Sequence, residues 1–540
     1  MSPLTSIVLT PLITALVVLL IPGNYRFVLR LVAIAGTAVT AALATRLFFL
    51  FQPGGGLQFD HQVPWLNHAV FSLSYHVGAD GLNIGLILAA ALVGFAAVGV
   101  SWDIERQPKL YYFLLLLIIG GALGAFASLD LFFFYFFNEL ALVPTFLMIG
   151  LWGRGPEKNY AAFKITIYLT LGAMIALVGL ILVYAQTQTL DVVKLRALIA
   201  TAPLPSGIQA VAFPCLLFGF GTLVGLWPFH SWAPLGYASA PTATAMMHAG
   251  ILKKAGLLAL LRVALPIMPE GVAKWMPVLL VLGLGNLLYC GFVAMRQRNL
   301  NLLLGNSSLA HMGFCFLGIA SVSVIGVTGT VLVMVSHALL AALSFAVSGW
   351  FHRHAGTLEL NRFGGVLARV PFFGTVLIAA LMAGCGVPGF ANFAGEVTVM
   401  FGAWKQFPWF VMAAAWGGLV IGGVYMLRAI REMLHGELNP EFAALREFPH
   451  SEPLPEPLPN IGLGAQVVTW LTWVLNSALG GGIWRGWRRL PYVVLLASLL
   501  LFGFAPGILT ERIRPDAEEL VKLATNRVPT TAVAPATEPK

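Results

Sequence analysis

Two adjacent lysines, Lys253 and Lys254, lie inside the otherwise apolar stretch MHAGILKKAGLLAL (247–260). An ammonium group at the centre of a lipid bilayer is disfavoured by about 2.5–3.5 kcal/mol on insertion scales. Burial favours the neutral amine and a nearby carboxylate favours the charged form, so a buried lysine can take up and release a proton. The pair therefore indicates proton transfer, and at least one of the two lysines is expected to titrate.

Acids and imidazoles are found in the same stretch and in other apolar segments. His248 shares the stretch with the lysines, and Glu139 lies in FFFYFFNELALVPTFLMIGLWG (132–153). Such groups at membrane depth are typical of a proton relay. A buried charge can also serve only to fix helix packing, and for the histidines, which can be buried in neutral form, that alternative stays open. The candidate site residues are Glu139, Lys164, Lys253, Lys254, His311, His337 and Glu396.

The elements that position these residues are apolar runs that repeat along the whole chain. Of its 540 residues, 59% are hydrophobic and only 10% are charged. Runs of about 18 apolar residues predict transmembrane helices, so the fold class is an all-α polytopic membrane protein. The first run has neither a basic region before it nor a cleavage pattern after it, and is interpreted as a retained helix. The predicted spans are 5–21, 26–50, 82–101, 110–127, 130–151, 160–184, 208–227, 241–265, 275–295, 302–320, 326–350, 372–402, 407–430 and 490–508.

The net charge of +9 does not indicate nucleic-acid binding, because the basic residues are scattered in short loops between apolar runs. The four cysteines are isolated, and no CxxC or Cys/His ligand spacing occurs. The sequence therefore predicts neither an iron–sulfur cluster nor a zinc site. We expect no metal and no cofactor in this chain.

The distribution of lysine and arginine in the loops predicts the orientation. Loop 51–81 holds neither residue and is assigned to the non-cytoplasmic side, which places both termini on that side as well. Arg262 lies near the end of a span, and snorkelling to the interface accounts for it. Segment 435–462 is interpreted as a cytoplasmic linker and the chain after residue 510 as a soluble tail. Segment 463–483 could be a fifteenth span, but an amphipathic helix on the membrane surface is favoured.

Two predicted spans are interrupted by proline and glycine, in GLWPFHSWAPLGYASAP (225–241) and AGCGVPGFANFAGEVTVMF (383–401). Unwound backbone at membrane depth is tolerated only where it lines a cavity or is packed in protein. The interruptions fall in the seventh and twelfth spans, which indicates two inverted five-helix repeats around an ion pathway. The predicted divisions are N-terminal helices (1–108), the first repeat (109–270), the second repeat (271–432), a linker (433–489), and a final helix with its tail (490–540).

Several motifs resemble one known family. The stretch DLFFFYFFNELALVPTFLMIGLWG (130–153) resembles the fifth helix of the M-type antiporter-like membrane subunit of respiratory complex I, the proton-pumping NADH:quinone oxidoreductase. The resemblance covers residues 75–430, and the glutamate at position 396 favours the M-type over its L- and N-type relatives. The further matching motifs are YHVGADGLNI (75–84), NYAAFKITIYLTLGA (159–173), PFHSWAPLGYASAPTATAMMHAGILKKAG (228–256), NSSLAHMGF (306–314), SHALLAALSF (336–345) and GVPGFANFAGE (386–396).

The resemblance implies a role for each matching position. Glu139 corresponds to the fifth-helix glutamate that modulates proton uptake, Lys254 to the central lysine, and Glu396 to the residue nearest the exit. His311 and His337 correspond to relay positions between the central lysine and the exit. The family holds no flavin, cluster or quinone, so NADH oxidation would belong to a peripheral arm. Other expected partners are L-, N- and K-type membrane subunits in the lipid bilayer of the bacterial inner (plasma) membrane.

One position departs from the family pattern. Family members usually carry a lysine five residues before the proline of a Pro-x-His motif, paired with the fifth-helix glutamate; here that position is Leu223. Another cation could serve Glu139, or the glutamate could be neutral part of the time, or the input half could be altered. Lys253 is the candidate for the missing cation, since adjacent helical residues project about 100° apart. It is predicted to pair with Glu139 directly or through water.

Two alternatives to the complex I assignment stay open at this point. A subunit of an Mrp-type sodium/proton antiporter or of a membrane-bound hydrogenase would share nearly every motif. A structural subunit that keeps the fold without pumping would explain Leu223. The sequence leaves the coupled ion undecided between proton and sodium.

Overall fold

The computed structural model describes residues 2–68, 71–447 and 482–525. The chain folds mainly into helices, since backbone groups in lipid must form their hydrogen bonds within the segment itself. The helices are α1 (Pro3–Leu20), α2 (Arg26–Leu50), α3 (Ile84–Val100), α4 (Pro108–Ala127), α5 (Leu131–Trp152), α6 (Lys158–Thr187), α7 (Val192–Thr201), α8 (Ser206–Val224), α9 (Trp232–Ser239), α10 (Thr242–Ile267), α11 (Pro269–Arg296), α12 (Leu300–Ala320), α13 (Val324–Ala355), α14 (Pro371–Gly384), α15 (Ala391–Trp404), α16 (Pro408–Leu434), α17 (Gly482–Phe504) and α18 (Gly507–Thr525).

Short π-helical and 3₁₀ turns occur within and between these α-helices. π-Helical turns lie within α10 (His248–Leu252 and Leu260–Ala264), α11 (Asn286–Cys290) and α16 (Trp416–Ile421), and 3₁₀ turns lie at Leu360–Arg362, Val366–Ala368 and Pro440–Phe442. Several helices begin at a polar residue whose side chain accepts backbone hydrogen bonds of the first turn, as at Asp130 before α5 and Asn299 before α12. Such caps satisfy donors that have no partner within the helix.

The predicted polytopic fold is confirmed. Within the described residues, eleven helical segments are long and apolar enough to cross a membrane, and α3 and α14 are shorter apolar helices. Together with α10, they match the fourteen predicted spans. The seventh span is broken between α8 and α9, and the twelfth between α14 and α15. Because the breaks lie five spans apart and five is odd, the two repeats enter the membrane from opposite sides. The residue bounds of the domains stay predictions.

A β-hairpin occupies most of the segment that the sequence analysis treated only as a loop. Strands β1 (Gln58–His68) and β2 (Phe71–Ala79) pair antiparallel, with Gln62 opposite His76. The His76 ring lies 2.6 Å from both Asp60 of β1 and Asp191, the residue that caps α7. This contact ties the hairpin to α7.

The C-terminal helix α18 corrects the expectation of a soluble tail, at least as far as residue 525. Asp516 of α18 accepts a hydrogen bond of 2.6 Å from the backbone N–H of Gly81, and apolar residues of α18 such as Leu509 and Leu520 are buried. Residues 526–540 lie outside the described part. The predicted surface helix 463–483 also lies outside it, apart from its last two positions, which begin α17.

The expectation that Arg262 snorkels to the interface is wrong. Its side chain is buried, and its guanidinium donates a hydrogen bond of 2.7 Å to the carboxylate of Asp80, which precedes α3. Two longer contacts of 3.4 Å reach the carbonyl oxygens of Phe126 and Ser128. The helix that carries the two lysines is therefore anchored at one end by a buried ion pair.

Candidate functional site

The break between α14 and α15 places an acidic side chain inside the helical bundle. Backbone φ angles of 72° at Gly386 and 98° at Gly389 lie in the left-handed region, which glycine adopts without a steric penalty. The helix therefore ends at Gly384 and restarts at Ala391. Glu396 follows in the second turn of α15 and is 1% exposed.

Four buried ionisable residues form a continuous series across four helices, and we call them the buried row: Lys254 (α10), His337 (α13), His311 (α12) and Glu396 (α15). The ammonium nitrogen of Lys254 lies 2.9 Å from Nδ1 of His337. The rings of His337 and His311 have centroids 5.4 Å apart. Nδ1 of His311 lies 2.8 Å from Oε1 of Glu396. None of the four is more than 4% exposed.

A π-helical turn helps to position Lys254. His248–Leu252 is a π-helical turn that lies directly before the lysines. Such turns are wider than an α-helix and are frequent at functional sites. The carbonyl oxygen of Ala249 in this turn accepts a hydrogen bond of 2.7 Å from the ammonium group of Lys254. The lysine is thus directed toward α13 by its own helix.

The predicted direct pair between Lys253 and Glu139 is not formed. The ammonium group of Lys253 donates to the carbonyl oxygen and the hydroxyl of Ser308 on α12, at 3.1 and 2.5 Å. It also lies 5.8 Å from the ring centroid of Tyr237 on α9. Lys253 therefore points toward α12 of the second repeat, where both of its hydrogen-bond acceptors lie.

Glu139 and Lys164 lie apart from the buried row. Oε1 of Glu139 is buried and has no hydrogen-bond partner among the described protein groups, and a cavity of about 80 Å³ between α5 and α6 opens beside it. Lys164 of α6 lies over the ring of Tyr160, at 5.8 Å. Within the described part, no hydrogen bond or ion pair joins either residue to the buried row. The role that the resemblance implies for Glu139 and the assignment of Lys164 as a candidate site residue therefore stay predictions.

Glycines hold α15 tightly against α13. A Cβ atom on Gly395 would lie 2.9 Å from the backbone nitrogen of Val333, and one on Gly402 would overlap the backbone of Gly326. Only glycine permits such a close approach of two backbones. We call Gly326, Gly395 and Gly402 the glycine seam. It fixes the helix that carries Glu396.

The candidate site residues identified from the sequence leave out several polar residues that the structure places around the lysines. Ser308 contacts Lys253, while Tyr237 Oη and both ring nitrogens of His248 are buried without a hydrogen-bond partner among the described groups. Asn392 lies one turn before Glu396 and donates to it at 3.5 Å. The spacing of Asn392 and Glu396 was a usable signal, because residues four apart share a helix face.

The described residues offer no group of three or more His, Cys, Asp or Glu that could hold a metal ion. All four cysteines are free thiols. The chemistry that the buried row can perform is the transfer of protons between nitrogen and oxygen atoms.

Comparisons with known proteins agree on one family. The profile of a family described as NADH:quinone oxidoreductase/Mrp antiporter, TM, matches residues 128–422. The chain is 31% identical to NAD(P)H-quinone oxidoreductase chain 4-1 of Synechocystis, over 97% of this chain and 94% of the relative. It is also 31% identical to NAD(P)H-quinone oxidoreductase chain 4 of Gloeobacter violaceus, over 99% and 95% of the two chains.

Two solved structures share the fold. A chain of respiratory complex I from Thermus thermophilus with bound NADH superposes with a TM-score of 0.81 at 25% identity, covering 97% of this chain and all of the other. A chain of the Mrp complex from Dietzia superposes with a TM-score of 0.78 at 21% identity, covering 97% and 99%. At that identity the second comparison concerns the fold alone.

Proposed function

Because the chain belongs to the NADH:quinone oxidoreductase/Mrp antiporter family, we propose that it is the M-type membrane subunit of a complex I-type oxidoreductase and translocates protons. The observation that carries this proposal is the buried row. It joins the middle of α10 to the break in the twelfth span through contacts of 2.8–2.9 Å and one pair of neighbouring imidazoles.

The geometry supports a stepwise transfer along the buried row. An excess proton on Lys254 passes from its Nζ to Nδ1 of His337, which leaves a neutral amine and an imidazolium. The two imidazole rings are close enough for one bridging water to carry the proton to His311. Nδ1 of His311 then donates to Glu396, which lies beside unwound backbone, where a hydrated exit is compatible with membrane depth. Each step moves one proton and involves no electron transfer.

Redox chemistry belongs to other subunits of the assembly under this proposal. The relatives are named as chains of NAD(P)H-quinone oxidoreductase, and the Thermus structure is one of respiratory complex I. We expect L-, N- and K-type membrane subunits and an NADH-oxidising peripheral arm as partners. The lysine- and arginine-free hairpin loop supports a bacterial plasma-membrane orientation with both termini on the non-cytoplasmic side.

The proposal is tested with Lys254→Ala in the intact complex. The row then loses its central proton carrier, so NADH-driven proton pumping in vesicles should fall at least tenfold while the subunit is present at its normal level. Unchanged pumping at a normal subunit level would contradict the proposal. Co-purification of NADH-oxidising subunits with the chain, as opposed to Mrp or hydrogenase subunits, distinguishes the complex I assignment from its relatives.

A non-pumping structural subunit is the second candidate. It is favoured by Leu223 at the family's lysine position, and by the unpartnered Oε1 of Glu139. Under this alternative, Lys254→Ala would leave pumping by the whole complex unchanged, whereas removal of the subunit would disrupt assembly.

A further inference from the structure

The two lysines of α10 are buried, and no carboxylate of the described residues lies at ion-pairing distance from either of them. Lys253 and Lys254 are 1% and 0% exposed. Within the part of the chain that the structure describes, Lys253 bonds to oxygens of Ser308, and Lys254 to the Ala249 carbonyl and the His337 ring. All of these partners are neutral unless His337 takes up a proton.

Other buried cations in the chain are paired differently. Arg262 bonds to Asp80 at 2.7 Å, and Arg489 bonds to Glu447 at 3.0 Å. A buried charge without a counter-charge is strongly disfavoured. Two adjacent ammonium groups with only neutral partners would add mutual repulsion in a medium of low dielectric constant. In the resting state only one of the two lysines is therefore charged, and a state in which both are charged is strongly disfavoured.

Buried polar atoms of Tyr237 and His248 that lack protein partners indicate where a proton can approach Lys253 and Lys254. Tyr237 Oη and both ring nitrogens of His248 have no hydrogen-bond partner among the described groups, and the two residues are 1% and 2% exposed. Their rings lie 5.6 Å apart. Buried groups of this kind are normally satisfied by water. Lys253 lies over the Tyr237 ring, whereas Lys254 faces His337.

We propose that Lys253 and Lys254 share one excess proton, and that Lys253 is the uptake member of the pair, reached through water at Tyr237 and His248. This inference rests on the proposed function and assigns a division of labour within it. A proton that arrives forms an N–H bond at Nζ of Lys253. Repulsion then drives the excess proton of Lys254 onto Nδ1 of His337, and the proton on Lys253 subsequently moves to the neutral amine of Lys254. One proton enters and one leaves, so the pair returns to its starting state.

This arrangement gives Lys253 a task that the family assigns elsewhere. Position 223, where family members usually carry a lysine, is leucine in this chain. Charging Lys253 places a positive charge next to Lys254 without any residue from α8. The repulsion that discharges Lys254 is therefore generated within α10 itself.

The test uses Lys253→Met and Lys253→Arg in the intact complex in vesicles. Lys253→Met should lower NADH-driven pumping at least tenfold in assembled complex. Lys253→Arg should lower it equally, because a guanidinium keeps its charge but does not release a proton. Lys194→Met on the exposed surface of α7 is the matched control and should leave pumping unchanged. If Lys253→Met fails to assemble, Lys253→Gln retains a donor for Ser308 and carries the same expectation.

Any of four results would overturn the inference. Normal pumping by Lys253→Met would show that Lys254 works alone, and normal pumping by Lys253→Arg would show that position 253 needs only a fixed charge. Ser308→Ala removes the hydroxyl contact while keeping the lysine; a loss as large as that of Lys253→Met would assign Lys253 a packing role. Tyr237→Phe should lower pumping several-fold, and normal pumping there would remove the uptake route. Loss of pumping in Lys254→Ala together with normal pumping in Lys253→Met would refute this inference and leave the proposed function intact.

Discussion

Replacing Asp80 by asparagine should destabilise the fold through a partner that lies far away in the sequence. Arg262 is 3% exposed and depends on Asp80 for its 2.7 Å ion pair. Removing one member of a buried ion pair costs about 3–5 kcal/mol. The two carbonyl contacts of Arg262 and the nearby carboxylates of Asp516 and Glu519 remain, so we expect the lower end, about 3 kcal/mol. Asparagine keeps the shape of the side chain but only one acceptor oxygen, so the change removes the charge together with either the contact to Arg262 or the contacts to the backbone N–H groups of Leu82 and Asn83.

The chain offers a matched control and an internal probe for this prediction. Arg514 and Glu518 form an ion pair of 2.9 Å with side chains 73% and 52% exposed, and Glu518→Gln should cost only about 0.3–0.5 kcal/mol. Cys290 and Cys315 are fully buried free thiols, so their reaction with a thiol reagent at increasing denaturant reports unfolding of the purified chain in detergent. Equal shifts of the unfolding midpoint for Asp80→Asn and Glu518→Gln would refute the reasoning. Partial recovery in the double variant Asp80→Asn/Arg262→Gln would support it.

Three further predictions concern the exit residue, the hairpin and the C-terminal helix. Glu396→Gln should impair proton release, and Glu396→Lys should retain more pumping in vesicles than Glu396→Leu, because the exit needs a titratable group; equal activity of all three variants would contradict this. Burial lowers the pKa of His76, but its contacts with Asp191 and Asp60 outweigh this effect, so that the pKa is raised. The charged imidazole of His76 therefore stabilises the folded state at a pH below its unfolded pKa of about 6.5, and this stabilisation is lost as the pH rises through the folded pKa. Protection of the hairpin from protease should accordingly decline as the pH rises in the native protein, and much less in His76→Gln. Gly81→Val should detach α18, since a Cβ atom there would overlap the backbone of that helix; unchanged cleavage after residue 507 by added protease would refute this.

The sequence predicts the membrane spans well because hydropathy alone determines them. Leucine- and alanine-rich runs such as 326–350 can satisfy their backbone only as helices in lipid, and the structure places α13 there. The prolines and glycines of 386–389 predict the break for an equally local reason, since neither residue favours continuation of a helix. The residues of the buried row were also identified from the sequence, because an ionisable group within an apolar run is conspicuous.

Contacts between distant segments were beyond the reach of the same reasoning. The direction of Lys253 depends on Ser308, 55 residues away, and on a π-helical turn that an ideal α-helix does not contain. The hairpin at 58–79 was missed because its polar, irregular alternation is typical of a loop and its register shifts twice. The docking of α18 depends on the Gly81 backbone, more than 400 residues before it.

The two halves of the broken twelfth span, α14 and α15, differ in how freely they can move, because only α15 is held by the glycine seam. Gly326, Gly395 and Gly402 bring the backbones of α13 and α15 into contact, and a backbone cannot be displaced without moving a whole helix. At the end of α14, by contrast, a Cβ on Gly384 would meet the terminal methyl of Met426 at 2.7 Å, and this flexible side chain can rotate away. Helix α15 thus holds Glu396 in a fixed position, while α14 and the loop that follows it are the parts that rearrange during turnover. A covalent cross-link between α13 and α15 should accordingly be tolerated by a working pump, whereas one between α14 and α16 should stop it.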